Sequence, residues 1–407
     1  MSKKITIILF FVVLLGAGFF GWYIFSQKSV PKNTETENNT PAFPFGSSNT
    51  STGDQNTNNK NEDIGGQEVN FISPNKFFRV SLSQEGAIPV TGATAFTEAS
   101  TTKIRYIERG TGHIYEISDK KPWRRISNTT IPKIFESFWI DEKTLLSRYN
   151  EKNPAEIITL LEQLPKIIAT SSPDQKITTS FFPQAIDSLA IRGNKIFTLS
   201  TTAEGKGRGI ILDAQGKNPK TIFTSPLHEW QATWPTDTII ALTTKASANL
   251  PGYVYFLNPT TSRTSKILGN IAGLTSLTNS DGTAVLYASA GENVLTTSIY
   301  TVKTSETALL SIKTLPEKCV WSKIEKTTLY CLVPRFLPNA TYPDSWYQGS
   351  ISFSDTLWKI NSTNGQTEIL YSPQSSLDGT KPFLDPKEKY LFFTDKTSMI
   401  LYAYLLK

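Results

Sequence analysis

The chain has 407 residues, 39% of them hydrophobic and 11% aromatic, with a net charge of +6 at pH 7. Its two histidines and two cysteines are too few and too scattered to build a metal site by themselves. No G-x-S-x-G elbow, H-E-x-x-H pair or G-x-x-x-x-G-K loop occurs, so nothing points to a serine hydrolase, a zincin or a P-loop enzyme, and no cofactor is implied.

Residues 5–25, ITIILFFVVLLGAGFFGWYIF, form a run of 21 residues without a charge. At ~1.5 Å per residue such a helix crosses a hydrocarbon core. Lys3 and Lys4 precede it and Trp22 and Tyr23 stand near its far end. The positive-inside bias therefore predicts a single-pass cell-membrane protein with a cytoplasmic N-terminus and everything after Phe25 outside. A cleaved secretory signal is the alternative, with Gly16 and Gly18 small enough for a peptidase site. The apolar run continues through Phe19, Phe20, Trp22 and Phe25, longer than a usual signal core, which favours a retained anchor over residues 1–30. Residues 31–70 are dominated by Asn, Thr, Ser, Gly and acids, too poor in apolar surface to offset chain entropy, and are predicted to be a disordered linker. As a flexible coil this tether spans on the order of 35 Å. Phe43 and Phe45 in PAFPF are either a docking motif or a stray aromatic pair. Charge divides at the same places: +3 for residues 1–30, −4 for 31–70 and +7 for 71–407. A mildly basic exported domain attracts anionic envelope polymers weakly.

From residue 71 onward β-branched and aromatic residues are common and a step of about forty-four residues recurs. Phe96, Trp139, Ala190, Trp234, Leu277, Trp321 and Leu384 stand at intervals of 43, 51, 44, 43, 44 and 63. Each anchor is followed by a short polar turn and a β-rich run, as in FWIDEKTLLSRY, TWPTDTIIALTT and VWSKIEKTTLYCLV. Four short strands per period is the pattern of a β-propeller blade. The expectation for residues 71–407 is an all-β, seven-bladed propeller, with six or eight as the range of count. AEIITLLEQ in the second repeat also fits a helical period, but Pro165 interrupts a helix there and the repeat favours a strand. The seventh repeat has only KPFLD, KYLFFTD and MILYAYLL, so the unpaired early segment KFFRVSLS, residues 76–83, is expected to complete it and cover two open edges.

The segments DEK, NSDG and PKEK that follow an anchor, with Trp321-Ser322 the nearest match, resemble the W-S-P-D-G pattern of TolB-like and WD-repeat-like propellers over roughly residues 77–407. Only Leu277 to Gly282 keeps the Asp-Gly turn. Together with an N-terminal anchor and polar tether, the arrangement is similar to bacterial envelope proteins whose propellers act mostly as binding platforms. The resemblance implies a non-enzymatic module.

If the hairpin after Trp321 is centred on Glu325, Trp321 opposes Leu329 and Cys319 opposes Cys331, close enough for a disulfide in an exported protein. Two buried thiols are the alternative. His113 and His228 read as structural residues. DKKPWRRIS, residues 119–127, sets four basic residues around Trp123 in the manner of a polyanion surface, but it falls on a hairpin and reads better as a solvated turn; no nucleic-acid partner is expected. Residues 333–355, VPRFLPNATYPDSWYQGSISFSD, are the longest departure from the period. Long loops on rigid scaffolds carry binding. Arg335, Phe336, Tyr342, Asp344, Trp346, Tyr347 and Gln348 are thus the candidate contact residues, unless the loop folds its aromatics back over the ring.

The function expected is a membrane-tethered extracytoplasmic scaffold that binds a protein or cell-envelope polymer. The alternative is an envelope glycan hydrolase or lyase with acids at the channel mouth. A third reading is a structural spacer.

Overall fold

The computed structural model describes residues 76–83, 86–150, 157–165, 176–182 and 186–407. The expected anchor at residues 1–30, the linker at 31–70 and the start of the propeller at 71 lie outside these residues. Among the described residues no helix is long and apolar enough to cross a membrane.

Seven four-stranded antiparallel sheets follow one another along the chain. Blade 1 comprises Val90–Glu98, Thr101–Glu108, Ile114–Ser118 and Lys121–Arg125. Blade 2 comprises Ile134–Trp139, Thr144–Asn150, Ile157–Gln163 and Thr178–Phe181. Blade 3 is Ser188–Arg192, Lys195–Thr201, Gly207–Asp213 and Lys220–Ser225, and blade 4 is Trp230–Thr236, Ile239–Thr244, Pro251–Leu257 and Thr264–Ala272. Blade 5 is Thr275–Thr278, Ala284–Gly291, Val294–Thr301 and Glu306–Leu309, and blade 6 is Cys319–Trp321, Thr328–Pro334, Asp355–Asn361 and Thr367–Tyr371. Blade 7 takes Gly379–Leu384, Tyr390–Asp395 and Leu401–Leu405 from the C-terminus and Phe77–Arg79 from the start of the described chain. First strands of neighbouring blades pack on one another around the axis. This is the seven-bladed propeller that the period implies.

The second strands explain why the period is legible. Sandwiched between neighbouring blades, they are covered on both faces and read as nearly continuous apolar and β-branched runs: TLLSRYN, IIALTT, TLYCLVP and YLFFTD are buried along most of their length. AEIITLLEQ supplies a strand, Ile157–Gln163, paired with Thr144–Asn150. At the anchors, the Trp321 indole N–H donates to the Leu277 carbonyl at 3.1 Å, tying equivalent positions of blades 5 and 6 together. Asp281-Gly282 turns with Gly282 at φ +76°, where a Cβ would sit 2.4 Å from Ile239 Cδ1, so only glycine fits there. In blade 6 Cys319 opposes Cys331 and Trp321 opposes Leu329, and the two cysteines form a disulfide.

The closing segment is shorter than KFFRVSLS. Only Phe77–Arg79 pairs with Leu401–Leu405; Leu82–Ser83 turns away and pairs with Gly86–Ala87 in a separate two-stranded ribbon. Phe77 stacks on Tyr402 and Tyr371, with ring centres 5.2 and 4.5 Å apart. Val80, Ile88 and Val90 join Tyr390, Phe392 and Ala403 in one core between blades 7 and 1.

Strand alternation places the second-to-third-strand turns and the blade-to-blade connections on one rim, the upper, and the remaining turns on the lower. Because Phe77–Arg79 is antiparallel to Leu401–Leu405, Lys76 and Lys407 both lie at the lower rim. Removing the closing stack should loosen the whole ring: Phe77→Ala is expected to cost about 2 kcal/mol, read as a lower urea midpoint.

Candidate functional site

The upper rim opens into a cavity of about 700 Å³ whose walls come from blades 2 to 7. Its apolar wall includes Phe138, Ile157, Ile186 and Trp230; its charged wall includes Glu136, Arg148, Asp187, Glu229, Lys245, Glu317 and Lys381. Four acids therefore line the mouth, but most are already matched. Glu136 accepts from Arg148 at 2.9 Å and from Lys381 at 2.8 Å. Glu229 pairs with Lys245 at 3.0 Å, and Asp187 accepts the Thr201 hydroxyl at 2.7 Å. Glu317 accepts from the Tyr347 hydroxyl, while its other carboxylate oxygen is buried without a partner. Burial raises the Glu317 pKa above the ordinary carboxylate value, against the lowering effect of the Tyr347 hydrogen bond.

His228 also lines the mouth, its Nδ1 3.1 Å from the Gly205 carbonyl. His113 lies elsewhere, just before the third strand of blade 1. Burial, then the Arg125 charge, lowers its pKa. Among the described residues no three His, Cys, Asp or Glu side chains converge as metal ligands.

The insertion leaves blade 6 between its second and third strands, so it belongs to the upper rim. It crosses blade 5, where Tyr342 N donates to the Gly291 carbonyl at 3.0 Å and Ala340 N to Asn293 at 2.9 Å. It reaches blade 4, where the Asp344 carboxylate accepts from Ala248 N at 2.7 Å. Asp344–Tyr347 forms a single helical turn. Tyr342, Trp346 and Phe353 are 1%, 3% and 2% exposed and pack with Ala288, Leu295 and Leu315. The structure thus builds Tyr342 and Trp346 into the core instead of presenting them. Arg335 is turned to the Pro373 carbonyl, and Phe336, Tyr347 and Gln348 remain at the surface.

Beneath the insertion lies a buried ionic cluster. Lys318 donates to Asp378 at 2.5 Å, to Asp355 at 2.8 Å and to the Gly379 carbonyl at 2.8 Å, and all three charged side chains are enclosed. Asp378 also accepts from the Trp346 indole at 2.9 Å, the Ser352 hydroxyl at 3.1 Å and Phe353 N at 3.1 Å. Burial pushes the Asp355 pKa up to about 6 in spite of Lys318. The sequence signal for this cluster was weak, since a lysine and two aspartates spread over sixty residues look like ordinary surface charge.

A second buried acid sits in blade 2. Glu162 is 1% exposed and receives the Ser147 hydroxyl, which continues a chain to Ser137 at 3.2 Å and Thr91 at 2.9 Å. Burial lifts its pKa to about 7.

Surface apolar residues are unevenly distributed. Of the ten large hydrophobic side chains exposed among the described residues, Ile157, Leu227, Leu250, Val294, Phe336 and Tyr347 stand at the upper rim. Phe181, Leu309 and Ile369 lie on outer strands, and Ile324 alone is at the lower rim.

No protein-family profile matches this chain, and no curated protein matches its sequence. Among solved structures it is similar to oligogalacturonate lyase from Vibrio parahaemolyticus, with a TM-score of 0.52, 12% identity, and coverage of 81% of this chain and 97% of that one. An oligogalacturonate lyase in complex with manganese gives a TM-score of 0.54 at 12% identity, over 81% of this chain and 96% of that one. At such identity the likeness shows the fold: this is a β-propeller protein.

Two variants separate packing from charge. Trp346→Ala removes an enclosed indole and a donor to Asp378, and is expected to cost about 3–5 kcal/mol in denaturant unfolding. Glu162 has its folded pKa raised, so the stability it allows is complete below the unfolded value and is lost as pH rises toward about 7. Wild type and Glu162→Gln should therefore match near pH 4, and the variant should be more stable by about 3 kcal/mol at pH 8.

Proposed function

We propose that the protein is a membrane-tethered, extracytoplasmic propeller that captures a protein partner on its upper rim without catalysing a reaction. The observation that carries this is the uneven distribution of exposed apolar side chains, six at the upper rim, where the charged mouth also opens, and one at the lower. Isolated surface apolar residues are ordinary, whereas a set rimmed by charge is the composition of a protein interface. Of the six, four are aliphatic, and aliphatic knobs fill pockets in a folded partner better than they stack on sugar rings. The Glu136–Arg148–Lys381 and Glu229–Lys245 groups supply charges of both signs for register and specificity.

The N-terminal reading of the sequence supplies the tethering. Residues 5–25 serve as the anchor and residues 31–70 as the tether. A cell-wall polymer is the other ligand class for the same face. The second functional reading, cleavage of an envelope glycan, draws on Glu317, a carboxyl group on the cavity wall whose pKa burial raises, the direction in which general acids are tuned.

Photo-crosslinkers placed in living cells at Leu250, Phe336 and Ile324 decide among these. A discrete protein adduct from the two upper-rim positions and none from Ile324 is expected. Equal adducts from both rims, or none from either, would sink the docking surface. An adduct dispersed by cell-wall hydrolases identifies the polymer instead, and fragment release from envelope glycans that is lost in Glu317→Gln establishes the enzyme.

A further inference from the structure

The insertion does more than extend the upper rim; its aromatics form the cover of the buried ionic cluster. Lys318 Nζ lies 5.1 Å from the ring centres of both Trp346 and Phe353, so these two side chains stand between the ammonium group and solvent. Asp378 takes three hydrogen bonds from the insertion, at Trp346, Ser352 and Phe353. Below that cover, one lysine faces two aspartates. Asp355 uses one oxygen for Lys318 and Gly379 N, at 2.8 and 2.7 Å, while its other oxygen is buried with no partner.

We propose that residues 336–353 are a proton-responsive roof: protonation of Asp355 leaves a balanced Lys318–Asp378 pair and holds the roof down, and its ionisation loads the cluster with one uncompensated charge that favours lifting. This goes beyond the docking surface and rests on it only for the consequence that lifting moves Phe336 and Tyr347, two of the exposed upper-rim side chains.

Further charged groups of both signs surround the cluster. Asp395 accepts from Asp378 N at 2.8 Å and adds a third carboxylate. Glu317, next to Lys318, meets Tyr347 of the roof, and Asp344 of the roof accepts from Ala248 N at 2.7 Å. On the cationic side Lys396 lies 5.1 Å from the Trp346 ring centre, outside the Lys318 contacts. Lifting the roof hydrates Asp355 and returns it toward 3.8, from about 6 under cover. The covered form therefore binds the proton more tightly, is most favoured below about pH 4, and loses ground as pH rises to about 6.

Hydrogen exchange of the purified full-length chain, corrected for the chemical exchange rate, tests this directly. Protection over residues 336–353 is expected to fall about 100-fold between pH 4 and pH 7, since each pH unit of differential binding is tenfold, while the strands of blade 4 stay level. Asp355→Asn should show a flat profile, and Glu317→Gln should keep the fall. A flat wild-type profile, an unchanged fall in Asp355→Asn, or its loss in Glu317→Gln alone overturns the proposal. If Asp355→Asn does not fold, the wild-type and Glu317→Gln profiles still decide. A protection change without upper-rim crosslinks removes the docking surface and leaves the roof; crosslinks with a flat profile do the reverse.

Discussion

Everything in this molecule depends on the ring being closed by a strand from its far end. A propeller whose last blade lacks an outer strand leaves the blade's third strand with unpaired backbone groups at the edge. Phe77–Arg79 fills that position against Leu401–Leu405, with flanking backbone bonds from Val80 N to Leu401 and from Leu405 N to Lys76 and with Phe77 stacked on Tyr402. Phe77 lies against Tyr371 of blade 6 as well as Tyr402 of blade 7, so the closing strand also fastens two blades. The two ends of the described chain are thereby fixed at one rim, and the opposite rim is left to loops. That division of labour precedes any question of what the loops bind.

The upper rim shows how a rigid ring carries an elaborated surface. The ladder of blade 6 runs up to the insertion on both sides, with Pro334 still opposite Asp355, so residues 335–354 disturb no strand. Its own stability comes from what lies beneath it. A lysine and two aspartates without water are costly, and their mutual hydrogen bonds offset that cost only while the cover is in place. The cover in turn is held by donors to Asp378. Cover and cluster thus share their contacts, through Asp378 and Lys318.

The mouth combines matched charges with apolar side chains, a composition suited to recognition. The acids there are distributed among partners: Glu136 with two cations, Glu229 with one, Asp187 with a hydroxyl. Glu317 takes the Tyr347 hydroxyl on one oxygen and so stands at the junction of cavity and insertion. The likeness to oligogalacturonate lyase structures belongs to the ring and carries no residue across at 12% identity.

Period and patterning were enough to read the blades, since second strands buried on both faces leave an apolar run every forty-odd residues. The opposition of Cys319 and Cys331 followed from hairpin arithmetic about Glu325, because antiparallel register is a local property. Thr178–Phe181 is the converse case: an outer strand exposed along its whole length carries no burial signal. KFFRVSLS looked like one strand, yet its second half pairs elsewhere, as backbone partners are chosen by the ring and not by propensity. Tyr342 and Trp346 looked like contact residues, and packing against Leu295 and Leu315 buried them. The sequence by itself determined repeat, strand order and hairpin register, all set by neighbours in the chain. Only the tertiary structure decided which charges meet, since Lys318, Asp355 and Asp378 become partners through the stacking of blades 6 and 7 beneath a folded loop.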